Sequence, residues 1–200
     1  MIVLIDNGHG KNTKGKRSPD GRLEEWKYCR EIAQGVEKEL AARGYQARRI
    51  VKEEGDISLA VRCGRVNDIC KAMGAGNILL VSIHVNAAGS GTWRSARGWS
   101  GWVYTGGSTK SRRLAQYLYK AAAERGLQGN RSVPACQYWE ANFYILKKTN
   151  CAAVLTENLF QDNKEDVDYL LSEEGRRAII DLHVEGIVNY INREKTEEAK

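Results

Sequence analysis

An α/β domain with one mostly parallel twisted sheet, flanked by helices on both faces, is predicted by three features of the sequence. Segments of strand and helix character alternate from end to end, as a parallel sheet with crossover helices requires. Residues 77–85 form a nearly continuous apolar run, the pattern of a strand buried on both faces. The first β-rich run passes directly into a loop punctuated by Gly8, Gly10, Gly15 and Gly21.

The elements follow in order. Residues 2–5 are a short β-rich run. Residues 24–43 carry Ile32, Val36 and Leu40 at helical spacing and stop at Gly44. A second strand is expected over 45–51. Ser58 is suited to cap a helix that runs to Met73 and is closed by Gly74 and Gly76. Strands are expected over 77–85, 99–105, 143–146 and 152–156, with a helix over 108–125 between the second and third of these. A long last helix over 175–193 carries Ile179, Ile180, Val184, Ile187, Val188 and Ile191. The catalytic domain is expected over 1–193, with 194–200 as a charged, frayed tail.

The 200 residues, 42% hydrophobic and 28% charged, suit a globular chain of one domain. No run approaches the ~20 apolar residues that span a bilayer, so no integral membrane contact is expected. The N-terminus lacks the basic and long apolar regions of a signal peptide, which predicts synthesis in the cytoplasm. Five cysteines (Cys29, Cys63, Cys70, Cys136 and Cys151) include no C-x-x-C pair, which argues against a disulfide framework and a four-cysteine zinc site. The net charge of +6 and pI of about 9.1 favour polyanionic partners in general. No nucleic-acid motif accompanies the scattered basic residues, and no nucleic-acid partner is expected.

Chemistry-bearing residues gather where strands give way to loops, the usual place for sites in open α/β sheets. The first strand runs into Asp6-Asn7-Gly8-His9-Gly10. The buried strand ends in Ser82-Ile83-His84-Val85-Asn86, and the 152–156 strand leads into Glu157-Asn158. A lone histidine at a strand end is more often an ordinary polar residue than a ligand. Two of only three histidines at equivalent strand ends, with a buried-looking carboxylate at a third, favour a site. A catalytic zinc takes about three protein ligands and leaves a position open. His9 and His84 supply two; Glu24 or Glu25 is placed to supply the third, although acidic residues in a first helical turn also suit the helix dipole.

Taken together, I-D-N-G-H-G at 5–10, L-E at 23–24, and Leu59, Arg62 and Asn67 resemble the zinc-dependent N-acetylmuramoyl-L-alanine amidases of the Amidase_3 type. So do S-I-H-V-N-A at 82–87 and V-L-T-E-N-L-F-x-x-N at 154–163. The resemblance covers residues 2 to about 191. It departs from the family pattern at Lys11 and at Cys151-Ala152, and neither change removes a ligand. It implies zinc on His9, Glu24 and His84, with Glu157 as the catalytic carboxylate. Peptidoglycan is then the substrate, and the amide between N-acetylmuramic acid and L-alanine is the bond cut.

In that scheme Glu157 takes a proton from water and returns it to the leaving nitrogen. Asp6 and Asn86 are candidates for orienting the ligands from behind, though turn chemistry explains them as well. The Trp- and Arg-containing loops contribute Trp93, Trp99, Arg131 and Trp139 as candidate substrate contacts; the plainer reading folds their tryptophans onto the core. His183, spaced four residues from Ile179 and Ile187, reads as core packing. Two alternatives remain: an inactive wall-binding module on the same fold, and another zinc hydrolase such as a carboxypeptidase or deacetylase. Action on the cell wall after release by lysis machinery is the expected setting. Nothing in the sequence sets the oligomeric state.

Overall fold

The computed structural model describes residues 1–89 and 91–198, the side chain of Glu198 excepted. The elements are β1 (Ile2–Asn7), α1 (Glu25–Ala42), β2 (Gln46–Arg49), α2 (Leu59–Met73), a 3-10 turn (Ala75–Asn77) and β3 (Ile78–Asn86). They continue with β4 (Ser100–Val103), α3 (Thr109–Ala123), β5 (Trp139–Glu140), α4 (Tyr144–Lys147), β6 (Ala152–Phe160), α5 (Lys164–Leu171) and α6 (Glu173–Glu198). The strands form one sheet in the order β2-β1-β3-β6-β4-β5. All neighbours are parallel except β4 and β6, which run antiparallel.

Side-chain alternation along each strand splits the apolar residues between two layers. Val3, Ile5, Leu79, Val81 and Val154 pack with α1, α3 and α6 on one face. Leu4, Leu80, Ala153 and Leu155 pack with α2 and α4 on the other. Because β1, β3 and β6 lie at the centre, their carboxyl ends open side by side. Asp6 stands opposite Ser82, and His84 stands opposite Glu157.

Two expectations change. Residues 143–146 are not a strand: the segment Tyr144–Lys147 is a helical turn whose Ile145 and Leu146 are buried against α2. Four apolar residues in a row carry no period, so sequence alone does not separate a strand from one buried helical turn. The last helix runs past residue 193 to Glu198, into the segment expected to be frayed; residues 199 and 200 lie outside the described residues. Ser58 caps α2 as expected, its side chain accepting from the Val61 N–H. All five cysteines are free.

Candidate active site

The loop after β1 is shaped by two close approaches. A Cβ on Gly8 would lie 2.5 Å from the His84 ring, and one on Gly10 would lie 2.1 Å from the Asp56 backbone. Between them His9 adopts φ 59°, a left-handed conformation that is costly for a residue with a side chain. Arg62 of α2 holds the loop in that shape. Its buried guanidinium donates to the carbonyls of Asn7 (2.6 Å) and His9 (3.0 Å) and pairs with Asp6 Oδ1 (2.7 Å). Asp6 Oδ2 in turn accepts from Ser82 Oγ at 2.6 Å. Asp6 therefore acts on His9 through Arg62 rather than by touching its ring.

The carboxylate that meets the histidines is Glu25, which corrects the expectation of Glu24. Glu24 is exposed, sits in extended backbone just before α1, and forms a bridge with Arg17. One residue further on, the chain has turned inward. Glu25 is 1% exposed, and its Oε1 lies 3.3 Å from His9 Nε2 and 3.2 Å from His84 Nδ1. Oε1 also accepts the Val85 N–H. The two histidine rings meet edge to face, 5.0 Å apart. The three potential ligand atoms lie within 4.8 Å of one another, the compactness a single cation requires.

Two observations fit this cluster to a metal ion. Glu25 Oε2 is buried and has no hydrogen-bond partner among the described residues, and a buried carboxylate oxygen left so is expensive unless something binds it. The donor set, two imidazoles and one carboxylate, is also that of open catalytic zinc sites. Burial pushes the Glu25 carboxyl up, but hydrogen bonds from His84 and then His9 outweigh it and hold its pKa at about 2. Burial pulls His84 down, and its pairing with Glu25 more than reverses that.

Glu157 sits beside His84 on the neighbouring strand. Burial raises its pKa to about 7, against the lowering effect of His84, Lys16 and Arg131. Its Oε2 is buried and has no hydrogen-bond partner among the described residues. Asn158, which the sequence reading passed over, donates to the His84 carbonyl (2.9 Å) and accepts from Trp99 Nε1 (3.0 Å). Its position directly after Glu157, in a strand whose other residues apart from Thr156 are apolar, was the available signal.

The other candidates separate cleanly. Trp99 is 1% exposed and belongs to the core, so it is corrected from a substrate contact to a packing residue. The Asn86 side chain accepts its neighbour Ala87's N–H, a turn role rather than a ligand-orienting one. Trp93 is exposed. Trp139 is half-buried, stacked near Trp102 and beneath Arg131. His183 is buried as expected. Its Nδ1 donates to the Ile179 carbonyl, leaving Nε2 to accept from Thr156 Oγ1, and burial lowers its pKa to about 4.

Fold and site together define an α/β domain with a candidate metal centre and a proton-binding carboxylate beside it. The model of the N-acetylmuramoyl-L-alanine amidase family, Amidase_3, matches residues 3–189, and the chain belongs to that family. The family's reaction is hydrolysis of the amide between N-acetylmuramic acid and L-alanine, and peptidoglycan is the substrate it implies. The chain is 27% identical over 200 residues to the endolysin of Bacillus phage SPP1, covering 97% of this chain and 67% of that protein. It is 28% identical over 229 residues to the N-acetylmuramoyl-L-alanine amidase AmiC of Neisseria meningitidis, covering 96% of this chain and 53% of AmiC. It thus spans about half the length of that relative. The crystal structure of an N-acetylmuramoyl-L-alanine amidase from Clostridium difficile 630 matches with a TM-score of 0.81 at 25% identity, covering 96% of both chains.

Proposed function

We propose that the chain is the catalytic part of a zinc-dependent N-acetylmuramoyl-L-alanine amidase that opens peptidoglycan, with His9, Glu25 and His84 as the zinc ligands. The observation that carries this reading is the compact His9–Glu25–His84 cluster with Glu157 on the adjoining strand. When bound, the ion supplies Lewis acidity, polarising the amide carbonyl and making water a better acid.

The chain's own groups do the rest. Glu25 fixes both imidazoles in one place, since a single oxygen faces His9 Nε2 and His84 Nδ1. Arg62 keeps the His9 loop from relaxing out of its left-handed turn. Glu157, with a pKa near neutrality, accepts the proton of the attacking water and returns it to the L-alanine nitrogen as that bond breaks. A carboxyl tuned to about 7 serves both halves of that cycle, because it neither binds nor releases its proton irreversibly at neutral pH. The exposed Trp93 is suited to stack on a sugar face. The setting proposed is lysis or remodelling of the wall, as the endolysin and AmiC likenesses support.

Incubating the purified protein with peptidoglycan, with and without zinc, and weighing the fragments tests the reading. Release of peptides with a free L-alanine amine, dependent on the metal, is the expected result. Cleavage within the peptide, or loss of acetyl groups, would instead favour a carboxypeptidase or deacetylase.

A further inference from the structure

Arg131 acts on Glu157 only at longer range, and what holds it in place is a pair of aromatic rings. Its guanidinium carbon lies 5.2 Å from the Trp139 ring centroid and 5.0 Å from that of Phe160. Phe160 is buried and stands three residues beyond Glu157 on β6, so this clamp lies over the strand end that carries the proposed base. Two rings fix the plane of the guanidinium by cation–π attraction, yet its Nε and Nη2 are buried and have no hydrogen-bond partner among the described residues. Arg62, which holds the His9 loop, by contrast spends its donors on carboxylates and carbonyls.

The loop beneath Arg131 is anchored as well. Asn130 Oδ1 accepts the Arg97 N–H (3.0 Å), and its Nδ2 donates to the Ser95 carbonyl (2.8 Å). Gly98 and Gly129 approach so closely that a Cβ on either would collide with the other's backbone. The two loops are thereby tied together, and Arg131 is carried on a fixed mount. A planar guanidinium on a fixed mount, with two nitrogens that find no acceptor among the described residues, has the donor geometry that suits a carboxylate.

We propose that Arg131 is a specificity residue that binds a free carboxylate on the peptide side of the substrate. This inference rests on the amidase reading of the same site. The side follows from chemistry: the one carboxyl of N-acetylmuramic acid is consumed in the scissile amide, so an anionic carboxylate near that bond belongs to the peptide. Substrates whose peptide carboxylate is converted to a carboxamide lose the charge-assisted bidentate contact and are discriminated against.

The test uses N-acetylmuramoyl-L-alanyl-D-glutamate with its γ-carboxyl blocked as the methylamide, and the same compound with its α-carboxyl as the carboxamide. With zinc present, wild type is expected to favour the carboxylate form about 10- to 100-fold in kcat/KM, the usual worth of a charge-assisted pair. In Arg131→Gln that ratio falls towards one. In Arg131→Lys it is intermediate, because the charge remains and the fork is lost. A preference that survives Arg131→Gln overturns the proposal. So does an equal loss on both compounds, which would mean that Arg131 serves only to tune Glu157. Calorimetric titration of both compounds into Glu157→Gln, with and without Arg131→Gln, reads the same discrimination without turnover. If wild type cleaves neither compound, the amidase reading fails, while equal affinities for the two compounds would separately sink the role of Arg131.

Discussion

Glu25, at the start of α1, and Glu157, near the end of β6, both adjoin His84, and each has a buried Oε2 with no partner among the described residues. Burial pushes both carboxyls upward, yet Glu25 ends near 2 and Glu157 near 7. The difference lies in their partners. Glu25 takes two imidazole contacts and a backbone N–H on one oxygen. Glu157 is lowered by His84, Lys16 and Arg131 only at longer range, and it is raised further by the charge of Glu25 itself. One carboxylate is thereby kept ionised, as a ligand must be, and the other is left able to carry a proton. Pairs of titratable groups driven apart in this way mark the division between binding and acid–base roles.

The sharpest way to break the comparison is to remove the ionised partner. Glu25→Gln takes the negative charge from between the two histidines. Zinc affinity is expected to fall by more than the ~10–100-fold that losing a supporting contact costs. Hydrolysis should fall with it, both read by metal titration and turnover on the same sample. Retained stoichiometric zinc at micromolar concentrations would move the ligand role elsewhere.

Glu157→Gln should do the reverse. Zinc content and melting temperature hold, while turnover falls by about 10²–10⁴, the range for a positioned acid–base group. The wild-type rate should also decline on the acid side, at or below pH 7, as Glu157 becomes protonated. That limb should be missing from the residual activity of the variant. A variant that loses its metal would make Glu157 a fourth ligand.

His183 supplies a third buried group, one whose partners are all neutral, and there burial outweighs the raising effect of its hydrogen bond to the Ile179 carbonyl. Its folded pKa is about 4 against an ordinary 6.5. The unfolded chain therefore binds the proton first as pH falls. The stability contributed by the neutral imidazole is complete above about pH 6.5 and is lost on descending towards pH 4, by up to about 3 kcal/mol. Urea unfolding of wild type and His183→Gln between pH 7 and 4 checks this. The difference between the two curves should carry the acid-labile part, and parallel curves would refute it.

The smallest effect is expected at Glu24. Because it is exposed, Glu24→Ala should change stability by no more than about 0.5 kcal/mol and leave zinc binding intact. Lost metal in this variant would restore the assignment that its neighbour now holds.

How much of this was legible beforehand varied with how each residue is held. His9, His84 and Glu157 sit at strand ends, and a parallel sheet brings its central strand ends together whatever the details, so the alternation of elements was enough to group them. Glu24 and Glu25 differ by one residue across the entry to a helix. Which of them faces inward depends on the Lys16–Glu25 and Arg17–Glu24 pairings of the loop, and no periodicity records those. Trp99 looked like a surface aromatic because glycine and arginine surround it, but its indole N–H finds Asn158 inside. Asn158 and Arg62 support the histidines through backbone carbonyls, and such contacts leave no spacing rule in a sequence.

The order of strands has a further consequence at its two margins. β2 is four residues long and carries Arg48 and Arg49, and β5 at the opposite margin is only two residues long. Short, charged margins give an incoming strand few unpaired backbone groups to zip onto and a repulsive surface to meet. The apolar strands that build the pocket are all interior. At high concentration the domain can therefore keep its sheet from templating polymers of itself, without any change to the strands that carry the candidate site.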